Sequence, residues 1–314
     1  MVLVRMRYLS ARSLLICALA LFVVVMLMGT ALAAKSKQKT FEKPEDAVEA
    51  LVKALRDGSE KELLAIFGPG SETLISSGDK IDDRERRENF VRLYGEANRL
   101  EPAGDRKVII HIGKNDWPFP IPIVKAGESW RFDTKQGREE ILNRRIGENE
   151  LDAIQTCLAI VDSQREYAAV DRDGDGLLEY AQKFYSTRGK MDGLYWEVKP
   201  GEKPSPLGPL VAKAQGEGYM PGGKPAPYNG YFFRILTAQG KSAKGGAYSY
   251  LVKGKMVGGF AVVAYPATYA VSGVKTFIVN HEGVVYEKDL GPTTVKLAKS
   301  MKAYNPDKTW EKAE

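Results

Sequence analysis

The chain has 314 residues, with 46 Lys and Arg against 40 Asp and Glu. Arg5, Arg7 and Arg12 precede an apolar run at the amino terminus, and the charge that remains is nearly balanced, which excludes a nucleic-acid binder held by a concentrated basic surface. Of two cysteines, Cys17 lies in that run and Cys157 in a helical apolar pattern, so a disulfide framework is excluded and the fold must rest on its cores.

The apolar run from Leu14 to Met28 leads to Ala31-Leu32-Ala33, the pattern of a secretory signal over residues 1–33 cleaved after Ala33. It predicts a periplasmic or secreted protein. The alternative is an inner-membrane anchor over residues 14–34, and membrane contact is expected only if that segment stays uncleaved. Ile16 is not the small residue that a lipid-modified cysteine at 17 needs before it, so a lipoprotein is excluded.

A linker over 34–40 leads into an α+β domain over 41–147. Ala47, Val48, Leu51, Val52 and Leu55 recur at helix spacing behind Pro44, and Gly58 ends that helix. Ser59 and Glu62 form a capping box for a second helix through Phe67, and Phe90, Leu93, Tyr94 and Ala97 mark a third. Lys107 to Ile112 reads as a strand, and Trp117 to Lys125 with Ser129 to Asp133 as a hairpin. This order, with Glu128-Ser129-Trp130-Arg131-Phe132-Asp133 near its end, resembles the cone of nuclear-transport-factor-like and cystatin-like domains. The resemblance implies a small antiparallel sheet under helices and, often, a pocket; Trp117 and Trp130 are expected to pack in core or hairpin.

From Glu148 a long helix is predicted to about Ala169, with Leu151, Ile154, Leu158, Val161 and Ala168 on its core face. Glu139 and Glu140 with Arg144 and Arg145 read as a solvated helical face. Next comes Asp171-Arg172-Asp173-Gly174-Asp175-Gly176-Leu177-Leu178-Glu179, the spacing of a calcium loop. Asp171, Asp173 and Asp175 fill positions 1, 3 and 5, Gly176 makes the turn, and Leu177 offers its carbonyl. Glu179 at position 9 binds directly or through water. Gln182 stands at position 12, where a bidentate Glu would give two oxygens and Gln gives one, so the expected role of calcium is that of a weak, structural ion. Asp192 is expected to serve a turn.

Glu179 to Ser186 is predicted as a short helix, Lys199 to Tyr228 as loop, and Tyr231–Leu236, Lys255–Tyr265 and Thr276–Asn280 as strands, the last joined through Glu282-Gly283 to Val284–Tyr286. A basic tail covers 294–314. The order of long helix, polar loop, Tyr228-Asn229-Gly230-Tyr231-Phe232-Phe233, Phe260 to Pro266 and Gly273 to Val285 resembles the globular head of type IV pilins and pseudopilins, over a domain at 148–293. The resemblance implies a helix packed on an antiparallel sheet, in some cases with calcium in a loop. Here a whole domain separates the apolar amino terminus from the helix, which argues against a filament subunit. By Arg172 to Gln182, Asp192-Gly193-Leu194-Tyr195-Trp196 and the Tyr228–Phe233 block, the whole chain resembles an uncharacterised family of exported bacterial proteins, known only as a domain of unknown function. That family implies no activity.

No catalytic constellation emerges. Gly218 to Lys224 has the spacing of a phosphate loop, but Pro225 stands where a magnesium-binding hydroxyl belongs. Ser77 to Lys80 and Ser272 to Lys275 share a Ser-x-x-Lys spacing without a helix start that would aim the serine. His111 and His281 lack neighbours at metal-ligand spacing. The expectation is an exported, non-enzymatic envelope or secreted protein with a structural calcium loop and a pilin-like module. It would meet an envelope or extracellular protein partner, with the Tyr228–Tyr231 aromatics as a binding face, and no nucleic acid. The alternative is a periplasmic ligand binder or enzyme using a pocket in the amino-terminal cone.

Overall fold

The computed structural model describes residues 37–219 and 226–313. The signal, the anchor alternative and linker residues 34–36 lie outside the described residues, as does the lysine of the Gly218–Lys224 motif. Among the described residues no helix is long and apolar enough to cross a membrane.

Helices and antiparallel sheets are mixed in an α+β fold, with two apolar cores in one unit from Gln38 onward. Helix α1 (Pro44–Arg56) begins with proline, glutamate and aspartate in its first turn and ends with Lys53 and Arg56 in its last, so both ends complement the helix dipole. It buries Ala47, Val48, Leu51 and Val52. The predicted cap of α2 (Glu60–Phe67) is present: the Ser59 side chain accepts from the Glu62 amide at 3.3 Å. After a single turn, α3 (Glu72–Ile75), comes α4 (Lys80–Glu96). It starts ten residues before the apolar pattern because the Asp79 carboxylate caps it, accepting from the Ile81 and Asp82 amides at 3.1 and 3.3 Å.

Strands β1 (Asn98–Pro102), β2 (Lys107–Ile112), β3 (Trp117–Pro118), β4 (Ile123–Ala126) and β5 (Ser129–Phe132) form the first sheet, ordered β1-β2-β4-β5 with β3 also on β2. The predicted hairpin is β4–β5, closed at Gly127 with φ +67°. Leu51, Ile66, Ile110, Ile112, Ile123 and Phe132 make the first core between this sheet and the helices.

The long helix is α5, Thr134–Ala168, 35 residues, and it begins fourteen residues earlier than its apolar pattern does. Two glycines and the charged run around Arg138 to Arg145 hide that first half from a periodicity reading. Gly137 has a packing reason: a Cβ there would lie 2.3 Å from the Pro120 carbonyl oxygen. The core face is also rotated. Val161 is buried as predicted and Ile154 and Leu158 pack partly buried against the core, but Leu151 is 61 % exposed, and Ala153, Cys157, Ile160 and Gln164 are buried beside Val161.

That sheet runs β14-β13-β12-β11-β6, all antiparallel, from β6 (Tyr231–Leu236), β11 (Ala261–Pro266), β12 (Lys275–Asn280), β13 (Tyr286–Asp289) and β14 (Glu311–Lys312). All six residues of β11 are buried, so both faces of the sheet are covered there, with α5 and α7 (Thr294–Ser300) packed on it. Short pairs β7 (Ala238–Gln239) with β8 (Tyr248–Ser249) and β9 (Leu251–Val252) with β10 (Lys255–Met256) lie between. The predicted strand Lys255–Tyr265 is thus broken, with Gly258 and Gly259 at the break. Glu179–Ser186 is not helical. The Gln164 side chain bonds both the Ala181 amide and carbonyl at 2.8 Å, and Tyr195 donates to the Phe184 carbonyl, holding the segment in an irregular, non-helical course. Helix α6 (Gly208–Gly216) lies in the stretch read as loop, and α7 and β14 in the tail.

The close approach at Gly137 gives a paired prediction. Gly147→Ala, on the same helix with open space around it, is expected to stabilise the protein by about 0.5–1 kcal/mol through helix propensity. Gly137→Ala is expected to destabilise it by about 1–3 kcal/mol through overpacking, and denaturant melts of the two variants measure the opposite signs.

Candidate functional sites in the acidic loop and the amino-terminal cavity

Beyond the end of α5 the acidic loop folds on its own backbone. The Asp171 carboxylate accepts from the Gly174 and Gly176 amides at 2.8 and 2.9 Å, and Asp175 from the Leu177 amide at 2.9 Å. Both glycines have positive φ, +77° and +83°, which lets the chain turn tightly around the carboxylates. One oxygen each from Asp171, Asp173 and Asp175 lies within 4.8 Å of the others, a cluster that could hold a metal ion.

The remaining predicted ligands divide. Glu179 joins the cluster only through Lys255, whose ammonium pairs with Asp173, with Asp175 at 2.8 Å and with Glu179 at 3.0 Å. Its other oxygen accepts from the Met256 amide at 3.3 Å. Gln182 turns away and donates to the Gly254 carbonyl at 2.7 Å, because the segment that carries it is not helical. Leu177 is exposed, and its amide serves Asp175. Lys255 holds the Asp175 carboxyl below the usual carboxylate range, and these carboxylates in turn raise the Lys255 ammonium. Sequence reasoning missed Lys255, which lies some eighty positions downstream on the β9–β10 hairpin.

The second candidate is a cavity of about 790 Å³ between α1, α2, α4, the first sheet and the first half of α5. Buried Leu51, Leu63, Phe67, Ile112 and Ile121 line its floor, with Phe90, Leu93 and Trp117 above them. Helix α4 lines the cavity with Asp83, Arg86, Arg87, Asn89, Phe90, Arg92, Leu93 and Glu96, so apolar and charged side chains alternate along this wall. Each nitrogen of Arg86 has a partner: it donates to Asp82 at 2.9 Å, Glu148 at 2.7 Å and Asn149 at 3.1 Å.

Arg145 departs from its predicted solvated face. It is 4 % exposed and donates to the Thr73 and Leu74 carbonyls at 2.7 and 2.6 Å, while its Nε has no partner among the described residues. Burial lowers its pKa, opposed by the charge of nearby Asp83, whose carboxyl burial raises and which accepts from the Ser77 amide at 3.0 Å. Arg144 does face solvent, paired with Glu140 at 2.6 Å and lying over the Trp117 ring.

A family model described as a protein of unknown function, DUF2950, matches residues 38–313. The chain belongs to that family. Both candidate sites lie inside the matched region, so each is part of the family domain rather than an appendage to it. No curated protein matches the chain, and no solved structure does.

Other features of this DUF2950 chain find structural roles. Tyr231 is fully buried, its hydroxyl donating to the Lys275 carbonyl at 2.9 Å, and Tyr228 packs edge-on to Tyr219, so this block does not form an exposed aromatic face. Ser77 and Ser272 are buried. The Ser77 hydroxyl accepts from the Asp79 amide, and the Ser272 hydroxyl donates to the Thr268 carbonyl. His111 is buried on β2 beside Arg99, Glu101 and Asp116, away from the cavity lining. Trp130 packs at the edge of the first core.

Asp192 closes a turn, accepting from the Thr187 amide at 2.7 Å and from Lys183 at 2.6 Å, and these donors, Lys183 foremost, lower its pKa to about 2. A carboxyl depressed in the fold contributes stability above the unfolded value of 3.8, and that contribution is lost as pH falls through about 2. The Thr187 amide resonance is therefore expected to titrate with a midpoint near 2 in the native protein and to stop titrating in Asp192→Asn, as an NMR pH series would record.

Proposed function

We propose that this protein is an exported, non-enzymatic binding protein whose amino-terminal part takes up an apolar small molecule. The observation that carries the reading is the cavity of about 790 Å³, floored by Leu51, Leu63, Ile112 and Ile121. Its size falls in the range of small-molecule sites, about 300–1,000 Å³, and apolar and aromatic side chains form much of its lining beside nine charged ones. A core without a guest tends to fill such a space with larger side chains, since lost contacts weaken the fold. A cone-like arrangement of helices over the first sheet accounts for the enclosure. The leader over 1–33 supports export, and a helix lying on an antiparallel sheet keeps the pilin-head comparison open for the second part.

A second reading, for the acidic loop, rests on the three clustered aspartates. Four carboxylates, Asp171, Asp173, Asp175 and Glu179, face one ammonium, Lys255, and the negative charge left over favours a divalent cation. On this reading calcium is a structural ion held by the aspartates with the Leu177 carbonyl, and Lys255 withdraws from them when it binds.

Two measurements test these readings. The neutral fluorescent probe N-phenyl-1-naphthylamine is expected to bind saturably at one site and to be excluded by Leu93→Trp, which fills the cavity; absence of saturable binding by the parent protein refutes the first reading. Excess calcium is expected to raise the melting temperature, by about 2.7 kcal/mol of added stability at a hundredfold excess over Kd. Asp173→Ala should abolish the rise and Lys255→Gln should enlarge it, whereas no response in either the parent or Lys255→Gln refutes the second.

A further inference from the structure

The cavity opens between two helices whose backbones scarcely touch. Helix α4 packs on α1, β1 and β2, whereas α5 packs on α3, β11 and β12, and the two make little direct contact. Buried Leu51, Leu63, Ile112 and Ile121 form the floor. The exposed lining residues mark where solvent enters: Asn89, Arg92 and Glu96 on α4, Arg144 and Glu148 on α5, and Lys114 in the turn after β2. The mouth is therefore a slot with α4 along one side and α5 along the other.

One side chain crosses the slot. Arg86 of α4 donates through Nη1 to the Glu148 carboxylate at 2.7 Å and through Nη2 to Asn149 at 3.1 Å, both on α5, and among the described residues no other hydrogen bond or ion pair joins the two helices. Its Nε is held from behind by Asp82 of its own helix at 2.9 Å, which aims the guanidinium across the slot. Arg86 and Glu148 both line the cavity, and the carboxylate is the looser partner: the Glu148 side chain is 63 % exposed against 31 % for Arg86. About two turns further along α4, where the Gly113 amide bonds the Leu93 carbonyl, the turn after β2 closes the slot, and beside it the Arg144 guanidinium lies 5.3 Å over the Trp117 ring. The other ion pairs of the mouth, Arg92 with Glu96 and Arg144 with Glu140, stay within one helix.

We infer that the Arg86–Glu148 pair is a strap across the mouth of the cavity, and that a ligand enters and leaves when the strap opens. The inference rests on the binding reading of the cavity and adds how access to that site is regulated. A partly exposed ion pair is weak and is screened by salt, so the strap opens by side-chain motion without disturbing either helix. Passage confined to the open fraction scales entry and exit alike, and their ratio, the affinity, does not change. The strap sets how fast a guest exchanges.

Stopped-flow mixing of the purified protein with N-phenyl-1-naphthylamine tests it. Glu148→Ala is expected to raise the association and dissociation rate constants together by about threefold, the scale of an exposed ion pair, with Kd unchanged. Glu148→Lys, which sets two cations across the slot, is expected to raise both further. Salt at about 1 M, where the screening length falls to about 3 Å, should speed exchange in the parent protein and not in Glu148→Ala. Because the probe is neutral and the parent needs no substitution, this comparison decides the matter even if Glu148→Lys fails to fold. Rates that stay at the parent's value in Glu148→Ala, a change in one rate alone, or exchange in the parent that is indifferent to salt overturns the strap and leaves the cavity site standing. Absence of saturable binding by the parent overturns the cavity reading and the strap with it.

Discussion

One helix belongs to two cores, and most of the architecture follows from that sharing. The first half of Thr134–Ala168 places Gly137 against the Pro120 carbonyl and Ile141 and Arg145 beside the cavity. The second half buries Ala153, Cys157, Ile160 and Val161 against the second sheet. A rigid rod fixed at both ends cannot rotate to improve one contact without spoiling the other. The exposed Leu151 and the buried Gln164 are consequences: the helix takes the orientation that satisfies both sheets rather than the one its leucines alone would choose.

The seam between the halves is polar, and its centre is a buried carboxylate. Asp79 accepts from the Ile81 and Asp82 amides as the cap of α4, and also from the Tyr219 hydroxyl at 2.9 Å and the Gly230 amide at 3.0 Å. Burial raises its pKa, opposed by these donors. Asn149 adds a bond to the Ser272 carbonyl at 2.9 Å while accepting from Arg86, and Glu150 accepts from the Val274 and Lys275 amides. The start of α4, whose later turns line the cavity, is thereby tied to the strand that begins at Tyr231. Hydrogen bonds of fixed direction, unlike apolar contacts, leave little freedom for sliding at this seam.

The parts of the structure that were legible in the sequence are those whose causes lie close together along the chain. Asp171 to Gly176 is such a case, since the carboxylates and the amides that orient them sit within six residues. So are the Ser59 cap and the β4–β5 hairpin. Lys255 was invisible because it reaches the loop from a hairpin about eighty residues away. The position of Gln182 escapes a local reading for a related reason: loop spacing presumes a helix on the far side, and Gln164 binds the Ala181 backbone where that helix would run. Arg145 looked solvated because it shares a run with Arg144, yet neighbouring helical residues point about 100° apart, so one meets water and the other the core. The cavity, assembled from five separate elements, has no local signature at all.

Lys255 gives the acidic loop a property that aspartates alone would lack. Its ammonium is a counter-ion that cannot diffuse away, because the fold holds it beside the carboxylates. Without any dissolved cation the loop is already partly neutralised and does not fly apart by self-repulsion. Any cation entering it must share or displace an occupant supplied by the chain itself.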